Sequence, residues 1–340
     1  MAKVLVTGGL GYIGSHTVVE LLAQNHEVII VDNLSNSEYC ILSKISEITH
    51  TTPAFEQIDI CDTDALRACF KAHGPIHAVI HFAAYKAVGE SVSNSLLYYK
   101  NNVLGLLSVL ECMREFSVCN IVFSSSCTVY GQPTQLPVTE QAPIQKALSP
   151  YGNTKQICEE IICDAIHSYN DICAVILRYF NPIGAHPSAC IGELPKGVPN
   201  NLVPFITQTA AGVRKQLQVF GNDYNTPDGS AIRDYIYVVD LAKAHVKALD
   251  KLCAQTTHSG YELFNLGTGT GISVLEMVHT FERVTGVSVP YTIASRREGD
   301  IEQVWADTTR ANRELDWFAN TSLEDILLSA WNWEKKIRNL

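Results

Sequence analysis

The sequence predicts an α/β protein in which a doubly wound parallel sheet is followed by a smaller C-terminal lobe. Three observations support this fold. Short β-branched runs recur with helical stretches between them, several runs are almost wholly apolar, and a glycine series follows the first run. Apolar strands of this kind are typical of sheets covered by helices on both faces. With 340 residues and 46% hydrophobic content, the chain can bury a large core.

Six strands are predicted in the first part of the chain, at residues 3–7, 27–31, 55–60, 78–82, 120–124 and 173–177. Their β-branched and apolar composition is that of buried strands. A helix over about 12–24 follows the first strand. Another helix, over about 91–116, carries too many apolar residues for one buried stripe, so we expect it to be covered on a second side.

Five prolines between residues 182 and 204 break this pattern, so a smaller lobe is expected to begin near residue 181. Runs at 234–239 and 263–266 are typical of further strands, and we expect some later elements to return to the large sheet. The predicted organisation is a nucleotide-binding domain over 1–180 and a mainly substrate-binding lobe over 181–340. Segments at about 234–266 return to the first domain.

The composition argues against several classes of function. A formal net charge of -10 gives no basic surface for nucleic acid, and no stretch approaches the roughly 20 apolar residues that cross a bilayer. The eleven cysteines include no C-x-x-C pair and the eleven histidines lack metal-ligand spacing, which indicates reduced thiols and no metal. Because the first 25 residues also lack a secretory leader, a cytoplasmic protein is expected.

A glycine series at the end of the first strand predicts a nucleotide site. Gly8 follows the strand directly, and Gly11 and Gly14 complete a G-x-x-G-x-x-G pattern that opens the first helix. Glycine allows a tight turn and close approach to a pyrophosphate, whose charge the N–H groups at the helix start can bind. The pattern therefore predicts a Rossmann-type fold and a dinucleotide cofactor.

Asp32 ends the second strand and indicates which dinucleotide binds. An acidic residue there accepts hydrogen bonds from the adenosine ribose and repels a 2′-phosphate, which favours NAD over NADP. The alternative is that Asp32 only begins the turn of residues 32–36. Asp59 and Ile60, at the end of the predicted third strand, are expected to border the adenine, although an ordinary strand end explains them nearly as well.

Three residues in the middle of the chain form a candidate catalytic group. The fifth strand leads into a serine run that ends at Ser126, and Tyr151 and Lys155 follow Ser149 and Pro150, a typical helix start. Tyr151 and Lys155 then lie one turn apart on one helical face. A serine at the carboxyl edge of a parallel sheet, facing such a pair, lies where open α/β folds place their chemistry.

A tyrosine acts as a base only if its phenol ionises near neutral pH. The pKa of Tyr151 would have to fall from about 10 to about 7, which costs about 4 kcal/mol. One positive charge roughly 5 Å away supplies on the order of 3 kcal/mol at an effective dielectric constant of about 20. Lys155 and an oxidised nicotinamide together would meet this need, while Ser126 carries the proton between the reacting oxygen and Tyr151. The alternative is an ordinary exposed Tyr/Lys pair on a helix.

Ten motifs extend over nearly the whole chain: VTGGLGYIGSH, DNLSNS, HFAAYKAVGES, FSSSCTVYG, SPYGNTK, RYFNPIGAHPS, GVPNNLVPF, FGNDY, IRDYIYVVDLA and RREGD. With these motifs the chain resembles the UDP-galactose 4-epimerase (UDP-glucose 4-epimerase) family of the extended short-chain dehydrogenase/reductase superfamily. The resemblance implies an isomerase that interconverts UDP-glucose and UDP-galactose through a 4-keto sugar, with transient reduction of tightly bound NAD. Tyr151 would take the 4-hydroxyl proton, and Lys155 would also hold the nicotinamide ribose.

The same resemblance assigns the remaining site residues. The cofactor residues are Gly8, Gly11, Tyr12, Ile13, Gly14, Asp32, Asn33, Asp59, Ile60, Phe82, Ala83, Lys86, Asn101, Tyr151, Lys155 and Tyr179. The UDP-sugar residues are Lys86, Ser126, Asn181, Asn201, Leu202, Phe220, Arg233, Arg297, Asp300 and Val304. The forked donors of Arg233 and Arg297 suit a diphosphate, which explains how an acidic protein binds an anion.

Val304 bears on the range of substrates. Family members restricted to glucose and galactose often carry tyrosine at this position. We expect valine to leave room for an acetamido group at C2, which predicts activity on UDP-N-acetylglucosamine and UDP-N-acetylgalactosamine as well. The alternative is that other pocket residues close this space.

A homodimer is also expected, because family members dimerise through the helices that contain residues 91–116 and Tyr151. The alternative is that the first of these helices is buried within one subunit. Two other functions stay open. A nucleotide-sugar 4,6-dehydratase needs an acidic pair beside the serine, where this chain has Cys127 and Thr128. A catalytically silent NAD-binding regulatory protein of the same fold would tend to lose the tyrosine or the lysine.

Overall fold

A seven-stranded parallel sheet forms the centre of the molecule. The computed structural model describes residues 1–254, 260–297 and 300–340. The strands of this sheet, numbered along the chain, are β1 Lys3–Thr7, β2 Glu27–Val31, β3 Ala54–Glu56, β4 Ala78–His81, β5 Asn120–Ser126, β6 Cys173–Tyr179 and β11 Gly260–Leu266. Their order is β11-β6-β5-β4-β1-β2-β3, and all neighbours are parallel. The predicted α/β fold with a doubly wound parallel sheet is confirmed.

Helices cover both faces of the sheet and form much of the C-terminal region. They are α1 Tyr12–Ala23, α2 Cys40–Thr49, α3 Thr63–His73, α4 Val88–Ser93, α5 Ser95–Tyr98, α6 Gly105–Glu115, α7 Pro150–Tyr169, α8 Leu202–Ala210, α9 Val238–Ala254, α10 Val274–Thr285, α11 Thr309–Glu314 and α12 Leu323–Arg338. Alternate residues of β1 point to opposite faces. Val4 and Val6 pack in the core layer of α1 and α9, whereas Leu5 packs in the layer of α3 and α6. Within the described residues, none of these helices combines the length and apolarity that a membrane span requires.

The strand ends that carry the predicted site differ in length from the prediction. β3 ends at Glu56 instead of residue 60, because Asp59 belongs to the turn before α3, where its Oδ1 accepts a hydrogen bond from the Cys61 N–H at 2.9 Å. β5 continues to Ser126 and β6 to Tyr179, and these two residues are partners in the sheet register. The serine run is therefore part of β5.

The helix predicted over about 91–116 is present in most of its length, but Asn94 interrupts it near its start and a π-helical turn lies within it. The short helices α4 and α5 and a π-helical turn over Tyr99–Leu104 precede α6. The π-helical turn contains the buried Asn102, whose Nδ2 donates to Tyr85 O at 3.1 Å and to Thr154 Oγ1 at 3.0 Å. Turns of this kind are frequent at functional sites. Asn102 ties the segment to α7 and to the loop after β4.

Short strands form the sheets of the C-terminal region. They are β7 Asn181–Ile183, β8 Leu217–Phe220, β9 Ile232–Arg233, β10 Tyr235–Tyr237, β12 Ile272–Ser273, β13 Tyr291–Ala294 and β14 Gln303–Val304. β10 pairs with β7, β13 pairs with β8, and β12 and β14 flank β9. The strand predicted over 234–239 is shorter, because Val238 already begins α9 and is buried on it.

A late segment of the chain returns to the large sheet. β11 contains the strand predicted over 263–266 and pairs with β6 at the edge of the sheet, which confirms that expectation. Helix α9 packs against α1. The division of the chain into two domains at residue 180 stays a prediction.

Candidate active site

The glycine series lies where β1 turns into α1. Gly8 has a φ of +69°, and a Cβ there would lie 2.9 Å from the Ala83 nitrogen. A Cβ on Gly14 would overlap the carbonyl oxygen of Gly8, so only glycine lets the helix start this close to the strand. α1 begins at Tyr12, and its N-cap residue Gly11 provides no side-chain cap for the first N–H groups. This bare turn and the N–H groups fit the pyrophosphate of a dinucleotide.

Asp32 makes a contact that the sequence analysis did not identify. Its Oδ2 accepts a hydrogen bond from the Leu10 N–H at 3.0 Å, and its Oδ1 accepts from the Leu34 N–H at 2.9 Å and the Ser37 hydroxyl at 2.7 Å. The buried carboxylate thus joins the glycine turn to the turn after β2. Because each carboxylate oxygen has two lone pairs, Oδ2 can still accept a ribose hydroxyl. The ribose role and the turn role are therefore compatible.

Asp59 and Ile60, the two residues predicted to border the adenine, lie in different environments. Asn33 and Asp59 lie side by side, with Asn33 Nδ2 3.4 Å from Asp59 Oδ2. Ile60 is buried against α6, where a Cβ on Gly105 would collide with its side chain. Ile60 therefore has a packing role, whether or not it also borders the adenine.

Phe82 and Ala83 follow β4 and lie beside the glycine turn. The Ala83 N–H donates to Thr7 Oγ1 at 3.3 Å, which joins the carboxyl ends of β1 and β4. The Phe82 ring lies 4.6 Å from the His245 ring of α9. Both predicted cofactor residues are thus at the carboxyl edge of the sheet, where the strand order reverses between β1 and β4.

Glu193 is a site residue that the sequence analysis missed. Its Oε1 accepts hydrogen bonds from Lys86 Nζ at 3.2 Å and from Asn201 Nδ2 at 2.6 Å. The Lys86 ammonium also lies 5.8 Å from the centre of the Tyr12 ring, and the Tyr12 hydroxyl donates to Gly184 O at 2.6 Å. One carboxylate thus joins a predicted cofactor residue to a predicted substrate residue. Glu193 lies outside the ten motifs, so no sequence pattern pointed to it.

The three predicted catalytic residues meet at the carboxyl end of β5. Ser149 caps α7 by accepting a backbone N–H, as the sequence predicted, and this fixes the start of the helix. From α7, Lys155 Nζ donates to Ser124 O at 2.7 Å. The Tyr151 hydroxyl is hydrogen-bonded to Ser126, at the end of the same strand. The structure therefore places serine, tyrosine and lysine in one buried group.

Tyr179 and Asn101 are connected to the elements that carry this group. Tyr179 ends β6, and its hydroxyl accepts a hydrogen bond from Ser124 Oγ at 3.0 Å. Asn101 lies in the π-helical turn and donates from Nδ2 to Asn102 Oδ1 at 2.9 Å. Asn102 is bonded in turn to α7 through Thr154.

Burial is the largest influence on the pKa of both predicted catalytic residues, Tyr151 and Lys155. It raises the pKa of Tyr151 well above the usual value, and Tyr179 raises this pKa further, whereas the hydrogen bond from Ser126 lowers it. Burial lowers the pKa of Lys155 to about 8, so its ammonium is still mostly charged at neutral pH. The predicted ionised phenol is therefore not a result of the protein groups alone. It needs further positive charge, which the oxidised nicotinamide of the prediction would supply.

The predicted substrate residues lie beyond β5 and β6. Arg233 of β9 is opposite Val304 of β14 in the sheet register. Burial raises the pKa of Cys127, next to Ser126, to about 12, and the Arg233 guanidinium acts in the opposite direction. Val304 is 5% exposed and packs in a small cluster with Phe180. This side of the predicted site therefore adjoins Ser126.

Arg297, Asp300 and Phe220 form a second part of the predicted substrate site. Arg297 Nε is 3.5 Å from Asp300 Oδ2, and the Arg297 guanidinium lies 4.6 Å from the centre of the Phe220 ring. The Arg297 side chain is 58% exposed. Glu298 and Gly299, the centre of the RREGD motif, lie outside the described residues. The three predicted residues are thus close together; Arg297 is largely exposed, whereas Phe220 and Asp300 are partly buried.

The two other predicted substrate residues begin elements of the C-terminal region. Asn181 begins β7, and its N–H donates to Asp234 O at 3.0 Å. Leu202 begins α8 directly after Asn201 and packs partly buried in the core there. The buried Asp234 also accepts the Ala306 N–H at 3.1 Å, so it holds β9 next to the segment that follows β14. Asp234 lies in the IRDYIYVVDLA motif, but it was not among the predicted site residues.

A buried ion pair behind the catalytic group was not predicted either. Glu159 of α7 accepts hydrogen bonds from Arg178 Nε at 3.0 Å and from the Ser125 hydroxyl. Glu159 and Arg178 are 8% and 6% exposed. Together they tie α7 to β5 and β6. They also line a cavity of about 480 Å³ that includes none of the predicted site residues.

The chain is similar to known proteins over nearly its whole length. The family described as GDP-mannose 4,6 dehydratase matches residues 5–329. A UDP-glucose 4-epimerase from Bacillus subtilis (strain 168) is 52% identical over 331 residues, which are 97% of this chain and 96% of that protein. A UDP-glucose 4-epimerase structure from Stenotrophomonas maltophila, with bound NAD and formylated UDP-arabinopyranose, is 47% identical and has a TM-score of 0.96. It covers 100% of this chain and 99% of its own. A UDP-Glc/GlcNAc 4-epimerase structure from Campylobacter jejuni is 35% identical and has a TM-score of 0.84. The match covers 99% of this chain and 100% of that chain.

Proposed function

We infer the function from one premise: this chain belongs to the UDP-glucose 4-epimerase family, within the extended short-chain dehydrogenase/reductase superfamily. It is an NAD-dependent isomerase that interconverts UDP-glucose and UDP-galactose by inverting C4 through a 4-keto sugar. NAD bound at the glycine turn would supply the redox chemistry at C4, namely reversible hydride acceptance.

The residues around the glycine turn would hold the cofactor. The N–H groups at the start of α1 would bind the pyrophosphate, and the free capacity of Asp32 would bind the adenosine ribose. Asp32 would repel the 2′-phosphate of NADP. Tight retention of NAD is supported by the burial of the catalytic group and by the contacts that join Lys86, Glu193 and Asn201 across the cleft.

The observation that carries the proposed mechanism is the meeting of Ser126, Tyr151 and Lys155 at the end of β5. Tyr151 would take the proton of the sugar 4-hydroxyl as the C4–H bond breaks, and would return it in the reverse half of the reaction. Lys155 would keep a positive charge near the phenol and hold the nicotinamide ribose. Ser126 would hydrogen-bond the reacting oxygens.

The C-terminal region would bind UDP. Arg233 and Arg297 can each donate several N–H bonds to the diphosphate. Arg233 lies near Cys127, the residue after Ser126. Phe220, Asn181, Asn201, Leu202 and Asp300 would complete the nucleotide pocket. An acidic protein would thus bind an anion through a few placed arginines.

The matching family is described as a 4,6-dehydratase, so this activity is the main alternative. Elimination of water would need acidic groups beside the catalytic serine. Cys127 and Thr128 occupy those positions, and the Cys127 thiol is held neutral because burial raises its pKa to about 12. Together with the retained Tyr151 and Lys155, this favours the epimerase over both the dehydratase and a catalytically silent protein.

We further propose that the protein is a cytoplasmic homodimer. Apolar side chains of the segment from α4 to α6 are partly or largely exposed: Val88, Val92, Leu96, Leu97, Leu104 and Leu107. Exposed apolar side chains concentrated in one segment are typical of an interaction surface. Free thiols such as Cys69 and Cys158 support a reducing compartment. Light scattering should give twice the mass of one chain, whereas the mass of a monomer would contradict the dimer.

The direct test of the function is incubation of the purified protein with each of the four UDP-sugars, without added NAD. Separation of the epimers should reveal interconversion of UDP-glucose and UDP-galactose by cofactor that is retained from expression. A 4-keto-6-deoxy product would instead indicate the dehydratase. If each sugar were recovered unchanged, and addition of NAD made no difference, both activities would be contradicted.

A further inference from the structure

Thr128 makes two contacts with Ser126 that the proposed function has not used. Ser126 Oγ accepts a hydrogen bond from the Thr128 N–H at 3.2 Å and another from the Thr128 hydroxyl at 3.0 Å. A serine oxygen has two lone pairs and one proton. Because one residue occupies both lone pairs, the remaining capacity of Ser126 is its own O–H.

The local fold explains why Thr128 reaches back to the serine. Ser126 ends β5 in an extended conformation, and a 3₁₀ turn over Cys127–Tyr130 follows directly. Any residue except proline at position 128 would donate the backbone N–H that caps this turn. The second bond, from the hydroxyl, exists only with threonine or serine there, so it depends specifically on the side chain.

Two groups lie within hydrogen-bonding reach of the Ser126 proton, namely the Tyr151 hydroxyl and the Cys127 thiol. Burial raises the pKa of Cys127 to about 12, so the thiol is neutral and a weak acceptor. An ionised phenol is a much stronger acceptor, since hydrogen bonds to charged groups are roughly twice as strong as neutral ones. The proton of Ser126 is therefore directed towards the reacting oxygens.

We propose that Thr128 is a positioning residue that fixes Ser126 as a hydrogen-bond donor to whichever reacting oxygen, of Tyr151 or of the sugar, carries the negative charge. This inference rests on the proposed epimerase activity. A serine whose lone pairs are both engaged cannot accept the sugar proton while it donates its own. The 4-hydroxyl proton then passes directly to Tyr151, the C4–H electron pair leaves with hydrogen to NAD, and the C4=O bond forms. This replaces the proton relay through Ser126 that the sequence suggested.

Two substitutions distinguish the effect of the Thr128 hydroxyl from the effect of its side-chain shape. Thr128→Val keeps the branched side chain and the backbone bond but removes the hydroxyl, whereas Thr128→Ser keeps the hydroxyl. We expect Thr128→Val to lower kcat about fivefold, the rate equivalent of one lost hydrogen bond, with unchanged KM and NAD content. Thr128→Ser should retain a kcat close to that of the wild type.

A double-mutant cycle shows whether Thr128 acts through Ser126. In a Ser126→Ala background, Thr128→Val should cause no further loss of kcat. If Thr128→Val does not fold, Thr128→Ala takes its place, with the same expected result. The inference is overturned if Thr128→Val has the wild-type kcat, or if Thr128→Ser is as slow as Thr128→Val. It is also overturned if Thr128→Val lowers kcat by the same factor in the Ser126→Ala background as in the wild type. Failure of the wild type to epimerise would overturn the proposed function instead.

Discussion

The catalytic edge and the substrate side of the site are built in different ways. The catalytic edge, which comprises Ser124–Ser126, Tyr151 and Lys155, lies on a central strand and a long capped helix, with Ser126 6% and Lys155 3% exposed. The substrate side, which comprises β9, β14, Arg297 and Asp300, consists of two-residue strands and a loop. There the Arg297 side chain is 58% exposed, and its contact with Asp300 is long, at 3.5 Å.

The difference indicates where the protein itself fixes geometry. At the catalytic edge, hydrogen bonds within the fold already hold the reacting side chains, as efficient transition-state stabilisation requires. On the substrate side the charged side chains of Arg233, Arg297 and Asp300 are partly or largely exposed, and we propose that the ligand provides further partners. We therefore expect substitutions at the edge to affect kcat or folding, and those on the substrate side to affect KM.

The largest effect is expected from Tyr151→Phe, which removes one oxygen from the catalytic edge. Loss of the base should lower kcat on the order of 10³-fold, while UDP affinity, measured by calorimetry, stays unchanged. Tyr261→Phe removes the same oxygen from a side chain that is 49% exposed and should be neutral. A Tyr151→Phe variant with the wild-type rate would disprove the assigned role.

Glu159→Gln tests whether the buried ion pair with Arg178 stabilises the catalytic edge. The substitution breaks the buried pair with Arg178, so the free energy of unfolding should fall by about 3–5 kcal/mol. Glu324→Gln breaks the exposed pair with Arg283, whose side chains are 62% (Arg283) and 44% (Glu324) exposed, and should cost about 1 kcal/mol or less. Urea unfolding of both variants gives the comparison. Equal losses would mean that burial does not distinguish the two pairs.

The sequence predicted the parts of the molecule whose signals are local. β1 and β2 have the predicted ends, and the helix start at Ser149 and Pro150 was recognised because capping chemistry lies within a few residues. The pairing of Glu159 with Arg178 joins a helix to a strand and depends on tertiary packing, so no spacing indicates it. The same holds for the contact of Asp32 with Leu10, which depends on how two turns pack together.

Several site assignments came from motif resemblance and not from local physics. The positions of Arg233 and Val304 on neighbouring strands follow only from the fold, since they are 71 positions apart in the chain. The π-helical turn was missed because its apolar pattern looks like that of a regular helix. Its function in placing Asn102 becomes visible only when Thr154 of α7 lies beside it.

Arg233→Met should raise KM and leave kcat unchanged. Loss of a charged donor to the diphosphate is expected to raise KM for UDP-galactose about 10- to 100-fold, with NAD content unchanged. Arg296→Met is the matched control, because Arg296 is next to Arg297 in the chain but pairs with Asp223 at 2.7 Å. If kcat fell and KM stayed constant in Arg233→Met, the division between edge and substrate side would be wrong.

Val304→Tyr should have the smallest effect and change selectivity. A larger side chain would occupy the space expected for the acetamido group, and so reduce turnover of UDP-N-acetylglucosamine relative to UDP-glucose about tenfold. Val304→Ala should keep the wild-type ratio. Undetectable turnover of UDP-N-acetylglucosamine by the wild type would refute the acetyl hypothesis.

The central claim concerns the charge on one phenol. Burial raises the pKa of Tyr151, and we propose that the positive charge of the oxidised cofactor brings its ionisation to neutral pH. Titration of tyrosinate absorbance in the NAD-loaded protein, with the Tyr151→Phe spectrum subtracted, measures this pKa directly. We predict ionisation of one tyrosine at a pH of about 7, and the rate of hydride transfer should fall as the pH drops below that value. A difference spectrum without ionisation until a pH of about 10 or above would contradict the account.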